Sequence, residues 1–132
     1  MGYRIVTGEP GRRGFTLIEL LIVLAIIGTL LAIAVPRYFN SLQRGRETVL
    51  RADLAVMREA IDKYYADTGQ YPETLAALAE KRYVRAVPPD PFTKLVDTWA
   101  VVSSEDADHP GIRDLHSGAP DQATDGSPVS SW

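Results

Sequence analysis

The feature that most constrains this chain is an apolar run near its amino terminus. Residues 15–35 contain a single charged side chain, that of Glu19. A helix of this length spans about 31 Å at ~1.5 Å per residue, which matches the hydrocarbon core of a bilayer. The rest of the chain is polar and contains many Asp, Pro and Gly residues. The pattern therefore predicts one membrane-spanning stem followed by one small head.

Size, charge and cysteine content limit the functions open to this chain. Its 132 residues suffice for one small domain, and its net charge of −3 offers no basic surface for nucleic acid. The chain contains no cysteine. Small domains outside the cytosol often depend on disulfides, so an exported head needs another source of stability, such as a bound ion or neighbouring subunits.

Three interpretations of the amino terminus compete. A secretory signal peptide has an apolar core of about 7–15 residues followed by a small-residue cleavage site. Here the apolar run is longer, and no such site precedes Pro36. A plain signal anchor fits the length and the basic flank but does not explain Glu19, since a charge within a span costs roughly 2.5–3.5 kcal/mol at its centre. The carboxylate therefore indicates a function.

The third interpretation explains this carboxylate. Residues 14–19, Gly-Phe-Thr-Leu-Ile-Glu, resemble the cleavage motif of the type IV pilin-like family, with basic residues before the motif and an apolar span after it. The basic residues, Arg12 and Arg13, should stay on the cytoplasmic side. The resemblance implies cleavage between Gly14 and Phe15 by a prepilin peptidase, which also N-methylates Phe15.

The same resemblance gives Glu19 a role in assembly. It implies that the Glu19 carboxylate attracts the amino-terminal nitrogen of Phe15 in a neighbouring subunit. A buried charge is tolerated chiefly when it is paired, which agrees with this role. The alternative is that Glu19 reaches the membrane interface and has no function.

Pro36 lies at the end of the apolar run. Proline removes a helical hydrogen bond and clashes with the preceding turn, so we expect a kink or a locally melted turn near residues 32–36. The alternative is a simple helix break at the membrane exit. Helical spacing resumes beyond the proline, and pilin-like proteins commonly carry a proline here, which favours the kink within a longer assembly helix.

Residues 41–67 show the apolar spacing of an amphipathic helix. The spacings of four, three, four and three residues form one stripe, which we expect to pack against the head rather than to form a coiled-coil seam. Gly69 follows, and a glycine in the left-handed conformation is suited to end the helix there. The stripe consists of Leu50, Leu54, Met57, Ile61 and Tyr64.

The remaining head sequence predicts short elements. Residues 73–81 carry the apolar spacing of a short helix, and the prolines within residues 87–92 predict an extended loop. Residues 98–102 and 112–116 are β-prone and are separated by an acidic loop, residues 103–111. The predicted fold is α+β: a long amino-terminal helix with a head of one short helix, loops and a short antiparallel sheet.

The order of these head motifs is similar to the major pseudopilin family of the type II secretion system. Residues 68–72 read Thr-Gly-Gln-Tyr-Pro and residues 90–92 read Asp-Pro-Phe, in the order found in that family. The family usually continues with Gly-x-Pro-Tyr, whereas residues 93–96 of this chain read Thr-Lys-Leu-Val.

An Asp- and Gly-rich stretch near the carboxy terminus is a candidate calcium site. Ca²⁺ prefers carboxylate and carbonyl oxygens on flexible loops, while the same composition is typical of a solvated turn. Major pseudopilins bind calcium in such a loop, with a Tyr where this chain has His116 and without the inserted Pro120. The resemblance implies side-chain ligands and carbonyl ligands. These are Asp121 and Asp125 by side chain, and Leu115 and Ser117 by carbonyl.

No motif predicts an enzyme. The two histidines, His109 and His116, do not have a recognised metal-ligand spacing, and no cysteine is present. The sequence contains no Gly-x-Ser-x-Gly, P-loop or dinucleotide-binding pattern. We therefore expect a structural protein without catalytic residues.

The predicted organisation has three parts: residues 1–14 as a basic leader that is removed, residues 15–36 as the transmembrane and assembly helix, and residues 37–132 as a periplasmic pilin-like head. The resemblance implies a type II secretion pseudopilus subunit, forming a homo-oligomeric filament that drives export of folded proteins across the outer membrane. Implied partners are the prepilin peptidase/N-methyltransferase, minor pseudopilins and the inner-membrane assembly platform. We expect the subunit to be an inner-membrane protein that spans the membrane once.

Two alternatives remain open. One is a type IV pilus subunit that serves adhesion or motility, and the other is a membrane-anchored periplasmic enzyme or binding domain. Type IV pilins usually close a carboxy-terminal loop with a disulfide, which a cysteine-free chain cannot form. This difference favours the pseudopilus.

Overall fold

The computed structural model describes residues 1–5, 8, 11 and 13–132. Its elements follow the order helix, helix, strand, strand and a terminal 3₁₀ turn, which confirms the predicted α+β class. The chain divides into two compact units, Met1–Arg37 and Tyr38–Trp132. The elements are α1 (Leu17–Thr68), α2 (Leu75–Glu80), β1 (Ala100–Ser103), β2 (Ile112–His116) and the 3₁₀ turn Val129–Ser131.

Helix α1 continues through Pro36 without interruption. The locally melted turn expected at residues 32–36 is therefore wrong, and so is the alternative of a helix break. Proline removes only one intrahelical hydrogen bond, and the regular helix on both sides retains the others, so the helix is maintained. A kink at this proline stays a prediction.

The apolar stripe of α1 forms one wall of the head core, as predicted. Leu50, Met57 and Ile61 are fully buried, and the stripe packs with residues from the following elements. Complete burial of one such side chain stabilises the fold by about 1.5–3 kcal/mol. The residues that complete the core include Leu78 of α2, Trp99, Leu115 of β2 and Val129.

The ends of both helices are set by local chemistry. After α1 ends, Gly69 has φ 74°, the left-handed conformation predicted for it. Helix α2 is shorter than the predicted residues 73–81, because Thr74 is its N-cap and accepts a hydrogen bond from the backbone of Ala77 at 3.2 Å. An N-cap residue has non-helical backbone angles, so the helix begins only after it.

Strands β1 and β2 pair antiparallel, with Val101 opposite Leu115 and Val102 opposite Asp114. Strand β2 has the predicted bounds, while β1 begins two residues later than predicted. Its first residue, Ala100, lies opposite His116, where the partner strand β2 ends. Before the strand, the Trp99 indole donates to the carbonyl of Pro88 at 2.9 Å.

Candidate processing and assembly site

The predicted cleavage junction is exposed. Gly14 and Phe15 precede the first residue of α1, and the Phe15 side chain is 87% exposed. A Cβ atom added to Gly14 would meet nothing within 4 Å. The chain itself therefore does not require glycine at this position, so a requirement for it would have to come from the enzyme that binds the junction.

Basic residues precede this junction in the sequence. Arg13 lies with Gly14, Phe15 and Glu19 around a shallow recess of about 350 Å³. Arg12, the other basic residue of the predicted motif, lies outside the described residues. Arg13 places a positive charge beside the junction, on the amino-terminal side of the span.

Glu19 forms a capping box with Thr16 at the start of α1. The backbone N–H of Thr16 donates to Glu19 Oε2 at 3.0 Å, and the backbone N–H of Glu19 donates to Thr16 Oγ1 at 3.2 Å. Two amide groups that have no partner within the helix are satisfied in this way. Sequence reasoning missed this role, although the Thr-x-x-Glu spacing that signals it is present.

In the first unit, the side chains of the apolar part of α1 are exposed. Among the described residues, α1 is the one helix long and apolar enough to cross a membrane, and none of its most apolar segment is buried. Large side chains along it, such as Leu24 and Ile26, are each 55% exposed. An apolar surface of this length requires a cover of lipid or of other apolar helices.

The carboxy-terminal loop with the predicted calcium ligands is held against α1. Gln43 Nε2 donates to the carbonyl of Gln122 at 2.9 Å, and both carboxylate oxygens of Glu47 accept hydrogen bonds from Thr124. Within the loop, Asp125 Oδ1 accepts from the backbone and the hydroxyl of Ser127. These bonds lower the pKa of Asp125, because they stabilise its charged form.

The four predicted calcium ligands have different surroundings. Asp121 and Asp125 are exposed, whereas Leu115 and Ser117 are fully buried. The carbonyl of Leu115 accepts a hydrogen bond from Arg58 at 3.1 Å. No cluster of three or more His, Asp or Glu side chains suited to a metal ion occurs among the described residues.

The hydroxyl of Ser117 has a partner that the sequence did not reveal. It donates to Oδ2 of Asp90, and both residues are fully buried. Oδ1 of Asp90 accepts from the backbone of Phe92 at 2.8 Å. A buried carboxylate is tolerated only with such partners, so this bond connects the Asp-Pro-Phe loop to the residues after β2.

Arg58 is a second connection that sequence reasoning missed. Its Nε donates to Asp114 Oδ1 at 2.8 Å, and its Nη2 donates to the carbonyls of Leu115 and Trp132. Burial acts to raise the pKa of Asp114, but the hydrogen bonds from Arg58 and the backbone outweigh it, so this pKa is lowered. The neighbouring His116 has a buried Nδ1 without a hydrogen-bond partner in the described part of the chain.

Comparison with known proteins begins with the amino terminus. Residues 10–35 match the family described as the prokaryotic N-terminal methylation motif. This motif, the exposed apolar helix and the small α+β head together define a type IV pilin-like protein.

Curated relatives narrow this class. The type II secretion system core protein G of Klebsiella pneumoniae is 31% identical over 97 residues, which cover 61% of this chain and 69% of that protein. The protein of the same name from Pseudomonas aeruginosa is 33% identical over 95 residues, covering 60% of this chain and 67% of that protein. The chain therefore belongs to the family of type II secretion system core protein G.

The extent of these matches differs between classes of relatives. The chain spans about two thirds of the length of the core protein G relatives, from 65% to 70%. The type IV major pilin protein PilA of Myxococcus xanthus is 37% identical over 68 residues, which cover 52% of this chain but 31% of that protein. No solved structure matches the chain significantly.

Proposed function

We propose that this protein is a structural subunit of the type II secretion pseudopilus. It polymerises through the amino-terminal half of α1 and drives the export of folded proteins across the outer membrane. The observation that carries this proposal is the apolar segment of α1, which no described part of the chain covers and which directly follows a methylation motif. Similarity to the core protein G relatives supports the same function.

Processing by a prepilin peptidase/N-methyltransferase is the first step of the proposed function. The enzyme cuts between Gly14 and Phe15 on the cytoplasmic face and methylates the new amino group of Phe15. The exposed junction and the neighbouring Arg13 support this step. Positive charge before a span favours the cytoplasmic side, so the subunit spans the inner membrane once with its head in the periplasm.

Assembly is the second step, and Glu19 takes part in it. In the proposed filament its carboxylate attracts the methylated amino group of Phe15 in a neighbouring subunit. The expected partners are copies of the same chain, minor pseudopilins and the inner-membrane assembly platform. The proposed subunit is not an enzyme, since its contribution is mechanical and the relatives are secretion and pilus subunits.

A reconstitution experiment tests this function. The full-length precursor, expressed with a prepilin peptidase and a secretion assembly platform, should yield a mature chain that begins at N-methylated Phe15. That chain should sediment as filaments and restore export in cells that lack their own core subunit. Processed protein that forms no filaments would contradict the proposal.

A type IV pilus subunit is the second candidate function. The match to PilA favours it, since that protein is named as a major pilin. Filaments on the cell surface together with unrestored export would support this candidate. The shorter coverage of the pilin, 31% against 69% for a core protein G relative, favours the pseudopilus.

We also propose a calcium ion at the carboxy-terminal loop, held by the side chains of Asp121 and Asp125 and by carbonyl oxygens of Leu115 and Ser117. The two exposed carboxylates suit calcium by their chemistry. The carbonyl of Leu115 fits less well, because the Arg58 guanidinium already donates to it. Within this proposal the ion would stabilise a head that has no disulfide.

A further inference from the structure

Strand β1 has one edge without a pairing partner in the described part of the chain, which we name the open edge. The two-stranded sheet has the order β1–β2, so β2 pairs with one side of β1 only. Among the described residues, Ala100–Ser103 make no backbone hydrogen bond beyond this pairing. Three of these four residues are exposed. The open edge is therefore accessible to a partner.

The hairpin geometry identifies the backbone groups that lie on the open edge. The backbone N–H of Ser104 donates to the carbonyl of Gly111 at 2.8 Å, on the side that faces β2. Backbone groups of successive strand residues point to opposite sides, and the extra residue of the irregular pairing, Arg113, belongs to β2, so the alternation along β1 is unbroken. The N–H and C=O groups of Val101 and Ser103 therefore point away from β2.

These outward groups are the recognition surface for an extended peptide. A peptide of this kind adds to a sheet edge as a further strand and exchanges main-chain hydrogen bonds with it. The side chain of Val101 adds an apolar contact. It lies on the same face of the sheet as Leu115, its partner on β2, but Leu115 is fully buried whereas Val101 is 47% exposed. An apolar side chain of an added strand would pack beside Val101.

Charges at the end of β1 indicate which peptide fits. The loop after the strand carries Glu105, Asp106 and Asp108, which are all exposed. Asp106 already has a partner, because its Oδ2 lies 2.8 Å from Nδ1 of His109. Glu105 and Asp108 form no ion pair within the described residues. An antiparallel strand would place its amino-terminal end beside this loop, so a basic residue there would complement the two carboxylates.

The same charges disfavour a second copy of this chain as the partner. In an antiparallel pair of two β1 strands, Asp97 before one strand would lie near the acidic loop after the other. In a parallel pair, the two acidic loops would lie side by side. Like charges repel in both arrangements, so the partner strand has to come from a different protein.

We propose that the open edge of β1 binds an extended segment of another protein in the antiparallel direction, with a basic residue of that segment beside Glu105 and Asp108. The segment forms main-chain hydrogen bonds with Val101 and Ser103. This interaction goes beyond the proposed function and does not depend on filament formation, because every group named lies within the unit Tyr38–Trp132.

A synthetic peptide tests the interaction. The probe is the dye-labelled peptide Lys-Arg-Thr-Val-Thr-Val-Thr, titrated with the full-length protein in detergent micelles and followed by fluorescence anisotropy. We expect saturable binding that weakens about tenfold when two glutamines replace the basic pair. Moving the basic pair to the carboxy-terminal end should also weaken binding. Equal binding of that peptide would overturn the antiparallel direction, and a probe that does not bind would overturn the proposal.

N-methylated peptides test the backbone pairing without any change to the protein. Methylation of alternate amide nitrogens removes the donors from one edge of the peptide and leaves its charge unchanged. Because only one edge of the peptide faces β1, the two possible phases of methylation should differ in affinity about tenfold or more. Equal affinities for the two phases would show attraction by charge alone and would contradict strand addition.

A proline variant tests the same pairing from the side of the protein. Ser103→Pro removes a donor from the open edge, and proline is accepted at an edge residue whose N–H faces solvent. The melting temperature should therefore stay close to that of the wild type, while the affinity for the probe falls about tenfold. The matched control Val102→Pro removes a donor that faces β2, and it should lower the melting temperature. A folded Ser103→Pro variant that binds the probe like the wild type would contradict the proposal.

Charge variants test the acidic loop. Glu105→Gln/Asp108→Asn should weaken binding of the basic probe about tenfold and leave binding of the glutamine peptide unchanged. The control Asp62→Asn/Glu80→Gln removes two other exposed carboxylates of the head and should bind the probe like the wild type. Equal losses in the two double variants would show that the probe responds to the net charge of the head, and would overturn the assigned position of the basic residue.

Discussion

At the scale of single residues, Glu19 combines a local and an intermolecular role. Its carboxylate accepts a hydrogen bond from the Thr16 backbone at 3.0 Å in the isolated chain. In the proposed filament the same carboxylate attracts the amino group of Phe15 from a neighbour. A carboxylate has two oxygens and about four acceptor sites, so both bonds can exist together. An alanine substitution would remove both roles, and it therefore cannot separate them.

Glu19→Gln separates the two roles. Glutamine also completes a capping box, so the helix start should remain intact while the charge is lost. A charged hydrogen bond contributes about 1.5–3 kcal/mol, so we expect association to weaken by about 10–150-fold, measured as sedimented filament. Thr16→Val is the matched control, because it weakens the cap but keeps the charge. Wild-type assembly by Glu19→Gln would contradict the assigned role.

At Gly14, an effect on the fold can likewise be separated from an effect on recognition by the peptidase. A side chain at this position would meet no atom of the chain within 4 Å, and the same holds at Gly11. We therefore expect Gly14→Leu to leave the fold unchanged but to block cleavage, so that mass spectrometry finds the full-length precursor. Gly11→Leu should be cleaved like the wild type. Normal cleavage of Gly14→Leu would exclude the assigned junction.

At the scale of elements, Arg58 connects α1 to β2 and to the last residue of the chain. Arg58→Met keeps the aliphatic length and removes the hydrogen bonds to Asp114, Leu115 and Trp132. Because Arg58 and Asp114 are both partly exposed, we expect the free energy of unfolding to fall by about 1–2 kcal/mol. The melting temperature should fall by about 4–8 °C for each kcal/mol lost. Lys63→Met, which removes only an exposed pair with Glu59, should leave the melting temperature unchanged.

The bond between Arg58 and Asp114 also predicts a pH dependence. Burial alone would raise the pKa of Asp114, but the hydrogen bonds lower it, so the unfolded chain binds a proton at higher pH than the folded head does. This stabilisation is complete above the unfolded pKa of about 4 and is lost as pH falls through the lower folded value. Between pH 6 and pH 3, the melting temperature of the Asp114→Asn variant should therefore fall less than that of the wild type. An unchanged dependence would show that other carboxylates cause it.

The elements also show which features the sequence determines locally. The stripe of Leu50 and its neighbours, the cap at Gly69 and strand β2 were predictable, because periodicity and turn chemistry act over a few residues. The capping box at Glu19 was equally readable and was missed. Contacts such as Arg58 with Asp114 and Ser117 with Asp90 join residues far apart in the chain. Their pairing depends on how the elements pack, which no local pattern contains.

At the scale of the whole molecule, the head has no cysteine and so no disulfide, and hydrogen bonds between its parts contribute to its stability. The carboxy-terminal segment places Ala119, Ala123 and Val129 in the core, and hydrogen bonds that it makes with Gln43, Glu47 and Arg58 also hold it to α1. These bonds are partly exposed, and each contributes modestly. A ligand that binds only the folded loop would add to them by mass action.

Calcium removal tests whether such a ligand contributes. If Asp121 and Asp125 bind calcium, an ion at about 100 times its dissociation constant stabilises the head by about 2.7 kcal/mol. A chelator should then lower the melting temperature of the full chain by about 10–20 °C, at 4–8 °C per kcal/mol for a small domain. The variant Asp121→Asn/Asp125→Asn should melt at this lower temperature with and without chelator. A wild-type melting temperature that the chelator leaves unchanged would contradict the calcium proposal, and the hydrogen bonds of Glu47 and Arg58 would then be sufficient to hold the loop.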